Sequence, residues 1–275
     1  MRLRAGRRRY LGASAKKPIP GRADRLCCAA VRPFAVIRAR LSQADRIETL
    51  LRDQAERISS LEARDPPPAE AAAAFHRLYY ESEQRTWRST RWLGVPVQKC
   101  PLDLWIYQEI LTDTRPTVVI ETGTWGGGSA LYLASVFDLL GAGRVITIEI
   151  AERAGRPQHS RIEYLSGSST DPAVSRRVLE ELVPEAAQVM VILDSDHGRD
   201  HVLAELGIYA PYVASGCYLA VEDTNVNGHP VLPEFGPGPL EAARAFLDTH
   251  PEFELDGACE RLLMTFNPGG YLRRR

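Results

Sequence analysis

Residues 118–129 limit what this chain can fold into more than any other stretch. They read Val118-Val119-Ile120-Glu121-Thr122-Gly123-Thr124-Trp125-Gly126-Gly127-Gly128-Ser129. The β-branched apolar run predicts a buried strand with an acid near its end. A glycine-dense turn follows, and Ala130-Leu131-Tyr132-Leu133-Ala134 predicts a helix. Strand, tight turn and helix together form the nucleotide-binding corner of a doubly wound sheet. Glycine there lets backbone approach a ligand where a Cβ would collide, and the helix N-terminus offers free N–H groups to an anionic group.

The turn is not the dinucleotide fingerprint, because Trp125 stands where the second glycine is needed, and no Gly-Lys-Ser/Thr closes it as a P-loop. Its acid-x-Gly-x pattern resembles the S-adenosylmethionine (SAM) loop of class I methyltransferases. Glu121, Gly123, Thr124 and Gly127 are then candidate cofactor-binding residues. The plain alternative is a glycine-rich turn with no ligand.

The pattern repeats downstream. Strands are predicted over 117–121, 144–149, 162–165, 188–194 and 216–222, with helices near 128–140, after Pro172, near 199–213 and near 239–249. Thr170 or Asp171 is expected to cap the short helix at Pro172. Phe253 to Phe266 predicts a hairpin across Asp256-Gly257. Five strands separated by helices argue for an α/β, doubly wound, mostly parallel sheet with right-handed crossovers and an antiparallel close.

Acids stand at the carboxyl ends of four of these strands: Glu121, Glu149, Asp194 and the Glu222-Asp223 pair. Ligands of open α/β sheets bind along that edge, and uncompensated like charges there are costly. Glu149 suits a ribose diol, since a carboxylate accepts two hydroxyl hydrogens. Glu121 is expected near the amino group of a bound amino acid. Ser168 and Ser169 follow the third strand, where adenine would lie, and also fit as ordinary turn residues. Asp194, Glu222 and Asp223 can converge as the oxygen donors Mg²⁺ prefers. His197, three residues beyond Asp194, is a candidate base for a hydroxyl proton. The same histidine also fits a structural partner of Asp194, or a zinc ligand with His201.

The N-terminal part is different material. Residues 1–36 are crowded with arginine and lysine and carry one acid, Asp24; they predict a basic tail, either solvated or held to an acidic surface. Residues 37–68 predict an amphipathic helix ended by Pro66-Pro67-Pro68, with a seam of Ile37, Leu41, Ala44, Leu51, Ala55 and Ile58. That seam suits a short coiled coil and a homo-oligomer, or packing against its own domain. Residues 69–275 are the expected catalytic domain. The net charge of −1 gives no global field for nucleic acid, and no apolar run reaches a membrane span. The five cysteines include no C-x-x-C pair, so reduced thiols and a cytoplasmic location are expected.

Several longer runs carry a resemblance: Leu93-Gly94-Val95-Pro96, Lys99-Cys100-Pro101-Leu102-Asp103-Leu104, Glu121-Thr122-Gly123-Thr124, and Leu193-Asp194-Ser195-Asp196-His197. Beyond them come Val221-Glu222-Asp223-Thr224-Asn225-Val226-Asn227-Gly228-His229-Pro230, Phe235-Gly236-Pro237-Gly238-Pro239 and Thr265-Phe266-Asn267-Pro268. In this order they resemble the cephalosporin hydroxylase family, which includes rhamnosyl and macrolide-sugar O-methyltransferases, over about residues 75–275. The resemblance implies a class I methyltransferase fold that binds SAM. It implies Mg²⁺ on Asp194, Glu222 and Asp223, with His197 as base and a sugar hydroxyl as acceptor. A monooxygenase using His197, His201 and Asp194 as an iron triad, or a non-catalytic SAM-binding scaffold, are the rival implications.

Overall fold

The computed structural model describes residues 45–56 and 69–275. The chain divides into two compact units, Met1–Asp65 and Pro66–Arg275. Of the first unit, the described part is one helix, α1 (residues 45–56), with Ile47, Leu50 and Leu51 exposed. The basic tail and most of the apolar seam lie outside the described residues.

The second unit opens with α2 (Ala69–Glu81), a single 3₁₀ turn and a small antiparallel pair, β1 (Arg91–Trp92) with β2 (Val95–Pro96). It continues through α3 (Pro101–Thr114), β3 (Val118–Thr122), α4 (Gly128–Leu140), β4 (Arg144–Glu149), β5 (Ile162–Ser166) and α5 (Pro172–Arg176). Then come β6 (Val189–Leu193), α6 (Arg199–Tyr209), β7 (Tyr218–Val221), α7 (Pro239–Leu247), β8 (Phe253–Leu255) and β9 (Tyr271–Arg274). Asp171 is the cap of α5: its side chain accepts from the Ala173 amide.

One seven-stranded sheet carries this unit, in the order β5-β4-β3-β6-β7-β9-β8. The strands β3 to β7 are mutually parallel, and β9 runs antiparallel to both β7 and β8. The closing pair differs from the expected hairpin. Its second strand is not the stretch up to Phe266 but Tyr271–Arg274, which slots between β7 and β8. Asp256 caps a 3₁₀ turn there instead of turning a tight hairpin, because its side chain accepts from the Ala258 amide.

Alternation along the strands builds two cores. Val118, Ile120, Ile146, Val191 and Leu193 face a layer with Val202, Leu206, Ala243 and Phe246 from α6 and α7. Val119, Val145, Met190 and Ile192 face the opposite layer, with Ile106, Tyr107, Leu133 and Phe137 from α3 and α4. Burial on both faces explains why these strands read as continuous apolar runs. A third cluster joins Tyr79, Tyr80 and Trp87 to Cys100, Met264 and Phe266. There α2 is tied down further: Asn225 Nδ2 donates to His76 Nε2 at 2.9 Å. Burial holds His76 down to about 4, so its ring is neutral and free to accept.

The strand order reverses at β3, with β4 on one side and β6 on the other. That switch point opens a crevice beyond the carboxyl ends of the strands. Among the described residues, no helix is long and apolar enough to cross a membrane. Cys100, Cys217 and Cys259 are buried free thiols; Cys27 and Cys28 lie outside the described residues.

Candidate active site

A cavity of about 650 Å³ opens at this switch point, within the size range of small-molecule sites. One end is lined by Gly123, Thr124, Gly128, Ser129 and Glu149, and the other by Asp194, His197, Asp223, Tyr80 and Trp87. Ser168 and Ser169 line its wall, as does His201.

Gly123 has φ of +88°, and a Cβ there would lie 1.7 Å from the backbone oxygen of Asp194. The glycine is therefore required by the crossing of β3 and β6 ends, a close approach of two protein backbones and not of backbone to ligand alone. Gly127 is not on the cavity. It adopts φ of +78° ahead of α4, where a Cβ would meet Tyr164 Oη at 2.9 Å and Pro157. Gly128 takes its place on the lining, pressed so closely against Pro96 that a Cβ would fall 2.0 Å from its carbonyl oxygen.

Glu149 ends β4 and points at the turn: its Oε2 accepts from the Trp125 amide at 2.7 Å. Trp125, which also lines the cavity, adopts φ of +44°, a strained conformation for a residue with a side chain. Glu121 does not reach the cavity. It is fully buried, its Oε2 accepts from Thr147 Oγ1 at 2.7 Å, and Oε1 has no partner. Burial pushes its carboxyl up to about 7 against the pull of Lys99. Glu121 thus supports the turn from beneath, through Thr147 on the neighbouring strand.

At the other end, Asp194, His197 and Asp223 bring one ligand atom each within 4.8 Å of one another. Asp194 follows β6, and His197 stands on the turn into α6, where Asp196 Oδ1 accepts from the Gly198 amide. Asp223 follows β7 at φ of +53°, with its amide donating to Asn267 Oδ1 at 3.0 Å. His197 Nε2 lies 3.1 Å from Asp223 Oδ2. Burial lowers the imidazole, but Asp223 and Asp194 outweigh it and raise it above its ordinary value. Burial likewise raises the Asp194 and Asp223 carboxyls. Clustered, half-buried carboxylates with elevated affinity for a proton are a fitting seat for a hard cation.

Glu222 is not part of that group of three. Its Oε1 accepts from Lys99 Nζ at 2.8 Å and from Tyr107 Oη at 2.5 Å, which turns that oxygen toward α3. Lys99 also donates to Asp194 Oδ2 at 2.7 Å. Sequence spacing did not point to Lys99 or Tyr107, because neither neighbours a site acid along the chain. His201 is also separate. Its Nε2 meets Ser195 Oγ at 3.1 Å, and Ser195 Oγ donates to buried Glu205 at 2.7 Å. The pairing of His197 with His201 on one metal, whether zinc or iron, is not what the geometry presents. Ser169 hydrogen-bonds weakly to His201 at 3.4 Å, and Ser168 pairs with Thr170 at 3.0 Å.

The rhamnosyl O-methyltransferase/CmcI family pattern matches residues 84–275. A rhamnosyl O-methyltransferase of Mycobacterium tuberculosis is 38% identical over 245 residues, covering 87% of this chain and 98% of its own. One from Mycobacterium leprae is 37% identical over 214 residues, 76% of this chain and 93% of its own. Among solved structures, apo CmcI and CmcI with Mg and SAM each align over 77% of this chain at 19% identity. Both have a TM-score of 0.53 and cover 85% and 86% of their own chains, which shows the fold. The doubly wound fold, the site at its switch point and the match to most of both chains together establish that this chain belongs to the rhamnosyl O-methyltransferase/CmcI family.

Proposed function

We propose that this chain is a SAM-dependent O-methyltransferase that uses Mg²⁺ and methylates a hydroxyl of a rhamnosyl-type sugar. The observation that carries it is one cavity with two chemically distinct ends: a glycine corner facing Glu149, and the cluster of Asp194, His197 and Asp223. The named relatives support the sugar acceptor.

When bound, SAM supplies an electrophilic methyl group, and the divalent ion supplies orientation and acidity for the acceptor hydroxyl. Glu149 accepts from the ribose hydroxyls, with the turn at Gly123 and the start of α4 around the amino-acid end. Asp194 and Asp223 hold the ion. Glu222 is the third candidate ligand, through its Oε2, which has no hydrogen bond among the described residues. His197, its ring held beside Asp223, would take the proton of the acceptor hydroxyl as that oxygen attacks the methyl group. Transfer of the methyl group would leave the electron pair of the carbon–sulfur bond on sulfur. The positive charge of the sulfonium is thereby lost, so the residues act by alignment and proton removal more than by holding an anion.

The test is incubation with methyl-labelled SAM, Mg²⁺ and rhamnosides or a rhamnosyl glycolipid. Label should enter a sugar hydroxyl, and EDTA should abolish transfer. SAM binding with no transfer to any rhamnosyl acceptor would refute the acceptor class. Full transfer in metal-stripped protein would refute the ion. Absence of any rise in melting temperature with SAM would refute the donor site itself.

A further inference from the structure

Among the buried charged side chains that the reaction as derived leaves unused is a lysine, Lys99. Lys99 directly precedes Cys100, the N-cap of α3, and its side chain is only 4% exposed. Lysine is almost never so deeply buried unless paired. Here Nζ reaches two carboxylates at once, Asp194 Oδ2 at 2.7 Å and Glu222 Oε1 at 2.8 Å. Asp194 follows β6 and Glu222 follows β7, so one ammonium bridges the ends of two neighbouring strands. Tyr107 fixes the shared Glu222 oxygen from α3.

The charge count is specific. With His197 neutral, as its role as base requires, Asp194, Glu222 and Asp223 together carry three negative charges when ionised, and Lys99 returns one. The remainder matches a single divalent cation. Removing the ammonium would leave the same carboxylates matched to a trivalent ion, in surroundings where charge is poorly screened.

We propose that Lys99 is a positioning residue that acts as a resident cation: it holds Asp194 and Glu222 and sets the site's preference for a divalent over a trivalent ion. This rests on the cation reading of the site given above. A purely structural lysine would affect stability and weaken all ions alike. A charge-setting lysine changes the ratio between ions of different charge.

The experiment measures Mg²⁺ and Tb³⁺ binding to the full chain by calorimetry, in wild type, Lys99→Met and Lys99→Gln. Methionine keeps the length without charge, and glutamine also keeps a donor. Both variants should shift the affinity ratio at least tenfold toward Tb³⁺. If a variant is too unstable for calorimetry, the rise in melting temperature with each ion gives the same ratio, since only the native site binds. A ratio unchanged in both variants, with Mg²⁺ still bound by wild type, overturns the proposal and leaves the cation reading standing. A wild-type ratio retained in Lys99→Gln alone assigns the effect to the hydrogen bond and also overturns it. A wild type that binds neither ion overturns both.

Discussion

At position 123 an added methyl group would sit 1.7 Å from the Asp194 carbonyl oxygen, on a backbone with φ of +88°. Both the overlap and the left-handed conformation penalise any side chain. Gly123→Ala should therefore destabilise the domain by roughly 3 kcal/mol or more, read by urea denaturation. Near-native stability with selectively lost SAM affinity would instead mean that the glycine serves the ligand alone. His197 makes a different kind of contribution, since its half-buried ring lines the cavity beside Asp223. His197→Ala should lower methyl transfer by roughly 10²–10⁴, the usual span for a positioned base. Added Mg²⁺ should not restore it, and SAM affinity should stay near wild type. An unchanged rate in a kinetic assay would remove the base assignment.

The segment between β7 and α7 shows how one side chain organises an element. Glu241, in the first turn of α7, accepts from the Gly238 amide at 2.7 Å, from His229 Nε2 at 2.8 Å and from Asn227 Nδ2 at 3.2 Å. It joins both ends of the loop that follows Asp223 to one helix start. Burial pushes its carboxyl up, but these hydrogen bonds outweigh that and hold it at about 2. A carboxyl depressed below its unfolded value near 4.5 stabilises the fold above that pH. The contribution is then lost as pH falls from about 4.5 through about 2. Glu241→Gln should flatten stability against pH in that window and leave the slope above pH 5 alone. Denaturation curves at several pH values check this, and an identical acid limb in the variant would contradict it.

At the scale of the molecule, the family match begins at residue 84 and every described site residue lies in the unit Pro66–Arg275. A fragment of residues 66–275 should therefore melt cooperatively and bind SAM as the whole chain does, with turnover per folded site retained. A folded, SAM-binding fragment without activity would place an acceptor contact in the first 65 residues. Much of this unit was legible beforehand, and for local reasons. Apolar runs, glycine turns and strand-end acids are short-range signals, so β3, α4 and β4 fall within a residue of expectation. Asp194, His197 and Asp223 were legible because each sits just past a strand whose direction the alternating pattern already implied. By itself the sequence determined the doubly wound order and the edge at which these side chains gather. Only the tertiary structure decided which of them meet. Lys99 pairs with acids 95 and 123 residues away, and Tyr107 reaches Glu222 across 115. Glu121 is withdrawn beneath the turn, Gly123 answers to Asp194, and the last sheet position is taken by Tyr271–Arg274. The physical reason is range: periodicity and turn chemistry act over a few residues, whereas buried charges and close-packed backbones are matched only when distant segments are brought together.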